Sequence, residues 1–299
     1  MAGILFDPVD SPYLVPFDES FKVSKAPTKP PGGKKDKNGN RQALDKAIER
    51  IRERQPKLFA DDRYALLIVF QALDAAGKDG TIRAVMTGIN PAGCQVFSFK
   101  QPTHEDLDHD FLWRIYRCLP ERGRIGIFNR SHYEEVLVVR VHPEYLDQQR
   151  IPHQVSHASN RDHLWRERLQ SIASFEKHLA RNGTAILKFW LHVSKDEQRE
   201  RFLARIDKPE ANWKLSPHDI EERGYWDDYM HAYEQALRRT SRPWAPWYAV
   251  PADNKPYMRR VVAEIIARTL ERLDIDFPVV SPERKAEMLT MRENLVAEE

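Results

Sequence analysis

The sequence predicts an α/β protein whose parallel sheet is covered by helices on both faces. Three observations carry that reading. Apolar runs recur, beginning with YALLIVFQALD at Tyr64 and continuing with CQVFSFK at Cys94, RIGIFN at Arg124, TAILKFWLHV at Thr184 and WYAVPA at Trp247. Between most of them lie amphipathic stretches long enough to be crossover helices, which parallel pairing requires. The chain's 299 residues lie near the upper size for one hydrophobic core, enough for a full sheet with two helical layers.

The elements follow in order. Pro8, Pro12 and Pro16 exclude an early helix, and KVSKAPTKPPGGKKDKNGNR, from Lys22 to Arg41, reads as an irregular basic arm. Residues 1–40 are therefore expected to be a solvated segment, or one that touches a polyanion. Leu44, Ile48 and Ile51 fall at i, i+4 and i+7, which predicts an amphipathic helix ending at Gln55 and Pro56. Further helices are expected from Asp106 to Arg117, from about Asn160 to Leu179, over SKDEQRERFLARI with Ser194 as its cap, from Gly224, and from about Lys255 to Leu273. A polar, proline-interrupted stretch at about 205–224 is the candidate lid. The catalytic body spans 41–275, and 276–299 is a C-terminal tail.

Composition narrows the function. Lys and Arg total 47 against 45 Asp and Glu, a net charge of +2, so a basic patch for an anion must come from clustering, and no nucleic-acid partner is expected. No apolar run approaches the length of a membrane helix, and acids rather than a signal-type segment occupy the N-terminus. Cytoplasmic localisation without a membrane partner is the expectation. Cys94 and Cys118 offer no metal cage and fit buried small hydrophobes in a reducing compartment. His153 and His157 have ligand spacing but no acidic third ligand in register, so zinc is not expected. Trp244 and Trp247 read as core ahead of the last strand. Tyr225, Trp226, Tyr229 and Tyr233 read as a packing face, within the chain or against another subunit.

The junction after the first strand, QALDAAGKDGT, carries the chemistry. Against the phosphate-loop pattern G-x-x-x-x-G-K-[ST], Gly77 and Lys78 fit, Ala72 replaces the first glycine and Asp79 replaces the Ser or Thr. The context supplies what the pattern lacks, because the loop follows an apolar strand and opens a helix whose N-terminus attracts anions. Ala75, Ala76, Gly77, Gly80 and Thr81 are the candidate cradle. Asp74 and Asp79 would repel phosphates unless a divalent cation lies between, which predicts magnesium, or manganese in its place. Asp79 also reads as an N-cap of the following helix.

Two further regions join this loop. Asn129 and Arg130 stand at the end of the RIGIFN strand, where ligands gather in open parallel sheets, and Arg130 is placed as a phosphate fork. Arg201 and Arg205 are i, i+4 neighbours that repel unless an anion lies between them or Glu197 and Glu200 neutralise them; Lys208 and Lys214 follow in the lid.

The segments QALDAAGKDGTIR, NPAGCQVFSFKQPT, FNRSHYEEVLVVRV, LKFWLHVSKDEQRERFLARI, NWKLSPHDIEER and APWYAVPA together resemble the polyphosphate kinase type 2 family, over roughly Arg41 to Leu273. The resemblance implies a three-layer P-loop kinase fold similar to thymidylate kinase, with a helical lid. It also implies magnesium-dependent phosphoryl transfer between inorganic polyphosphate and nucleotides, and a homo-oligomer, dimer or tetramer. By position, Asp74, Lys78 and Asp79 match the family's Walker A loop, Asn129 and Arg130 its Walker B pair, and Arg201, Arg205, Lys208 and Lys214 its lid. Many members carry Asp where this chain has Asn129. The NRSHYE form resembles the class III subgroup, which implies use of both AMP and ADP, yielding ADP and ATP. The remaining alternatives are an enzyme restricted to ADP or to AMP, an ATP-dependent nucleotide kinase, and a non-catalytic polyanion binder. The altered loop argues against ATP as donor, and its two carboxylates argue against a mere binder.

Overall fold

The computed structural model describes residues 5–33, 36–152, 161–214 and 216–298. His153 and His157 lie outside these. Five strands, β1 (Ala65–Gln71), β2 (Cys94–Ser98), β3 (Ile125–Asn129), β4 (Thr184–His192) and β5 (Trp247–Pro251), form one sheet of order β2-β3-β1-β4-β5. Every adjacent pair is parallel. The chain runs first to one side of β1 and then to the other, so the strand order reverses at β1 and opens a crevice at its carboxyl end.

Alternation along the strands feeds two cores. Leu66, Ile68 and Phe70 of β1, with Leu187 and Phe189 of β4, face one layer, while Leu67, Val69, Ile186 and Trp190 face the other. The first layer holds α1 (Lys37–Asp61), α2 (Lys78–Val85) and the closing helix that begins at Lys255. The second holds α3 (Arg161–Arg181) and the helix Trp226–Thr240. This is the three-layer α/β/α arrangement of P-loop kinases. The remaining long helices, in chain order, are α4 (Lys195–Ile206), α5 (Trp226–Thr240), α6 (Lys255–Arg272) and α7 (Pro282–Val296).

Ser194 caps α4 as expected, its side chain accepting from the Glu197 amide. Helix α1 departs from expectation by running through Pro56 to Asp61. Buried Ile51 and Leu58 lie on either side of that proline, and their packing offsets the lost hydrogen bond. The expected helix from Asp106 to Arg117 is two short ones, His104–Leu107 and Trp113–Tyr116, because the Asp110 carboxylate accepts from the Leu112 amide and turns the chain between them.

The N-terminal segment is not solvated throughout. Phe6, Val9, Tyr13 and Val15 are buried, Leu14 bridges antiparallel to Tyr248, and the Asp253 amide donates to Thr28 at 2.9 Å. Its prolines exclude a helix but suit an extended strap along the β5 edge. The C-terminal segment is also more ordered than a tail: α7 is helical, although its side chains are exposed. Trp247, Tyr229 and Tyr233 are buried within the chain's own core. No helix among the described residues is long and apolar enough to cross a membrane.

Candidate active site

The phosphate loop leaves β1 at its carboxyl end and turns through two left-handed residues, Ala75 (φ 61°) and Gly77 (φ 107°). Glycine takes this conformation freely, whereas alanine is strained in it, so Ala75 is held by its surroundings. Those surroundings are visible. The Arg201 guanidinium donates to the Ala75 carbonyl at 3.0 Å, to the Ala76 carbonyl at 2.7 Å and to the Ala252 carbonyl at 2.6 Å, and its Nε pairs with Glu197 at 2.8 Å.

Gly77, not Asp79, occupies the N-cap position of α2, and no side chain caps that end. The capping expectation for Asp79 is thereby corrected: the helix begins three residues earlier than the run TIRAVMTGI suggested, so Asp79 falls inside its first turn. There it accepts from the Asn129 side-chain amide at 2.8 Å. Thr81 is buried and its hydroxyl donates to the Gly77 carbonyl, so its side chain closes the turn.

Lys78 is buried and donates to the Ala72 carbonyl at 2.6 Å. Burial lowers its pKa, Arg130 adds to the fall, and the carboxylates of Asp74, Glu134 and Asp79 oppose it. Arg130, itself left-handed at φ 63°, follows β3 and places its guanidinium 2.9 Å from Asp74 Oδ1. Desolvation alone would raise the pKa of Asp74, but the charges of Lys78, Arg130 and Arg205 outweigh it and hold the carboxyl below its ordinary range.

Beneath this turn Gln71 donates to Ser131 at 3.1 Å, and Lys188, fully buried on β4, donates to Glu176 at 2.5 Å and to the Tyr133 hydroxyl at 2.9 Å. The strand end that carries Arg130 is thus anchored by buried polar contacts, although the Gln71 side-chain oxygen is left without a partner among the described residues.

A cavity of about 640 Å³ opens over the loop. Its walls carry Lys78, Arg83, Lys100, Arg130, Arg205, Lys255 and Arg259 against the acids Asp74, Asp79 and Asp219. Of the residues expected from the sequence, Asp74, Ala75, Gly77, Lys78, Asp79, Gly80, Asn129, Arg130 and Arg205 meet here. Ala76, Thr81 and Arg201 stand behind the loop, and Lys208 is exposed outside the cavity. Lys214 closes the short turn Pro209–Lys214 of the lid.

Arg83, Lys100, Lys255 and Arg259 were missed by the sequence reading. Lys255 and Arg259 follow the carboxyl end of β5 at i, i+4 spacing, so the strand-end rule applied to the last strand would have found them. A smaller cavity of about 140 Å³ shares Asp74, Arg130 and Asp219, and continues past Glu134 and Tyr229. Anion-binding groups therefore converge on a carboxylate at the point where the strand order reverses, an arrangement suited to moving a phosphoryl group between two phosphate-bearing ligands.

The protein is 53% identical over 278 residues to an ADP-polyphosphate phosphotransferase of Rhodopseudomonas palustris, covering 93% of this chain and 95% of that one. It is 44% identical over 257 residues to an AMP/ADP-polyphosphate phosphotransferase of Meiothermus ruber, covering 85% and 90%. The crystal structure of polyphosphate kinase 2 from Arthrobacter aurescens superposes with a TM-score of 0.84 at 36% identity, over 98% of this chain and all of that one. The family model for polyphosphate kinase 2 matches residues 34–278. Sequence and fold agree, and the chain belongs to the polyphosphate kinase 2 family.

Proposed function

We propose that this polyphosphate-dependent nucleotide phosphotransferase accepts both AMP and ADP, with inorganic polyphosphate as donor and magnesium, or manganese, as its cation. The observation that supports it best is the carboxylate of Asp74 set among Lys78, Arg130 and Arg205 in a cavity whose wall carries seven cations against three acids.

Phosphoryl transfer asks for placement and charge neutralisation rather than a covalent intermediate. Lys78 and the amides that open α2 bind phosphate oxygens. Arg130 offers a planar fork to the transferring group, and Arg205 approaches from the lid side. Arg83, Lys100, Lys255 and Arg259 extend the basic wall, which suits a donor that is a chain of phosphates. Asp74 orients the acceptor.

Asp74 and Asp79 form an oxygen-only donor pair of the kind magnesium uses together with substrate phosphates, and one oxygen of each is engaged by Arg130 and Asn129 respectively. These two residues would hold the ion, with Asp74 as the main ligand. When bound, the ion neutralises charge between carboxylates and phosphates.

Asn129 supports the use of two acceptors. It presents an amide where a carboxylate would add negative charge beside the acceptor phosphates, which relaxes discrimination between acceptors of different charge. A second reading, ADP alone as acceptor, is favoured by the name of the 53% identical relative. The test supplies polyphosphate, magnesium and AMP, free of adenylate kinase, and follows products over time. ADP followed by ATP is the expected result. A reaction that waits for added ADP supports the narrower reading, and transfer from ATP but not from polyphosphate overturns both.

A further inference from the structure

We infer that Gln198 is a positioning residue that ties the end of the lid to Asp74. Gln198 lies on α4, is 3% exposed and is engaged at both ends of its amide. Its nitrogen donates to the backbone carbonyl of Asp74 at 2.9 Å. Its oxygen accepts from Arg223 Nη1 at 2.6 Å, and the same nitrogen of Arg223 also reaches the Lys195 carbonyl at 3.1 Å. Arg223 belongs to the turn Glu222–Tyr225 that ends the lid.

The chemistry of the amide makes this a coupling. Only an uncharged amide accepts from a cation at one end while donating to a carbonyl at the other; a carboxylate has nothing to donate, and an aliphatic side chain does neither. The lid end cannot lift away without breaking the Arg223 bond and leaving a buried amide oxygen unpaired, which is costly until the side chain reorients. Reorientation withdraws the donor from the Asp74 carbonyl, and Asp74 is the residue whose carboxylate holds Arg130. The lid therefore reports its position to the reacting centre through one side chain with two arrangements. Asp219, on the same segment, borders both cavities, so lid closure and the placement of Asp74 concern the same substrates.

The neighbouring residue fixes the far side of the hinge. Glu222 is held by His142 at 2.9 Å and by the Tyr229 hydroxyl, whereas Arg223 turns toward α4. Arg201, one turn along α4 from Gln198, grips the loop independently of the lid.

The inference rests on Asp74 acting in phosphoryl transfer, and the experiment separates the two. Arg223→Ala, Gln198→Glu, Gln198→Met and the doubles of Arg223→Ala with each are compared for kcat, for KM toward polyphosphate and nucleotide, and for Tm. Arg223→Ala is expected to lower kcat about tenfold with Tm unchanged, and Gln198→Met at least as much. Each double should be no slower than its Gln198 single variant, because both changes break one connection. Gln198→Glu keeps a partner for Arg223 but loses the donor, so kcat falls while KM holds; this variant carries the cycle if Gln198→Met does not fold. Effects that multiply in the doubles, or single variants that lower only Tm, overturn the coupling. Full turnover in Asp74→Asn instead overturns the assignment of Asp74 on which it rests.

Discussion

The phosphate loop and the lid face one another across the same cavity, yet they are held in opposite ways. The loop is gripped from behind: three backbone carbonyls in and beside it receive Arg201 and Gln198, Lys78 is buried, and Ala75 is kept in a conformation alanine rarely adopts. The described part of the lid is two short helical turns, Pro209–Lys214 and Pro217–Glu221, in which Glu210, Trp213 and His218 are exposed, and its far end is pinned through Glu222 and Arg223. Charges held by burial are preorganised, whereas exposed ones have fewer contacts to fix them. The contrast implies that loop substitutions act on turnover or stability, whereas substitutions among the lid's exposed residues, Arg223 at its end excepted, act through substrate.

The largest effect should come from the loop itself. Lys78→Ala and Asp74→Asn should each lower kcat a few hundredfold, because one preorganised electrostatic contact at a transition state is worth about 3 to 4 kcal/mol. Circular dichroism and Tm should show the fold intact. Near wild-type turnover in either purified variant would remove the distinction between loop and lid.

Two arginines one helical turn apart on α4 provide a sharper comparison. Arg201 sits behind the loop with its partners, Glu197 and the carbonyls of Ala75, Ala76 and Ala252, all inside the protein, so Arg201→Ala leaves buried carbonyls without donors and should cost about 3 kcal/mol, read as a fall of several degrees in Tm. Arg205 enters the cavity and stacks over Phe202 at 5.4 Å. Arg205→Ala should leave Tm almost unchanged while lowering kcat/KM for polyphosphate about tenfold. A variant pair in which Arg205 governs stability and Arg201 only activity would invert the reading of the helix. Added salt offers a milder version of the same test: it should weaken polyphosphate binding more than nucleotide binding, since the longer anion engages more of the exposed cations.

Much of this architecture was legible in the sequence, for identifiable reasons. Buried strands with branched residues announce themselves, and Ser194 marks a helix start through chemistry local to a few residues. Residues read at strand ends, Asp74, Lys78, Asn129 and Arg130, do meet at one cavity in the structure. It was misread where the decisive contact is long-range. The spacing of Arg201 and Arg205 suggested a shared anion, but nothing in SKDEQRERFLARI tells which arginine faces the loop carbonyls and which the cavity. The strap formed by Phe6 to Val15 was hidden for a similar reason: prolines reveal the absence of a helix but not the edge of β5 that receives the chain.

The smallest effect concerns Asn129, at the boundary between loop and strand. Its side-chain amide donates to Asp79 Oδ1 at 2.8 Å and lies 3.4 Å from the Ser98 hydroxyl. Asn129→Asp removes that donor and sets a second carboxylate against Asp79, in a cavity that already holds Asp74 and Asp219. Like charges at this distance repel unless a cation or a proton intervenes. The variant should therefore depend more steeply on magnesium concentration. Its acceptor preference should also change: with added negative charge near the acceptor phosphates, the ratio of kcat/KM for AMP to that for ADP should move several-fold from wild type, a shift of about 1 kcal/mol. Because the donor track of Arg83, Lys255 and Arg259 lies on other elements, the KM for polyphosphate should hold. An unchanged acceptor ratio would show that Asn129 serves only to anchor Asp79, and would shift the basis of acceptor choice to the smaller cavity beyond Arg130.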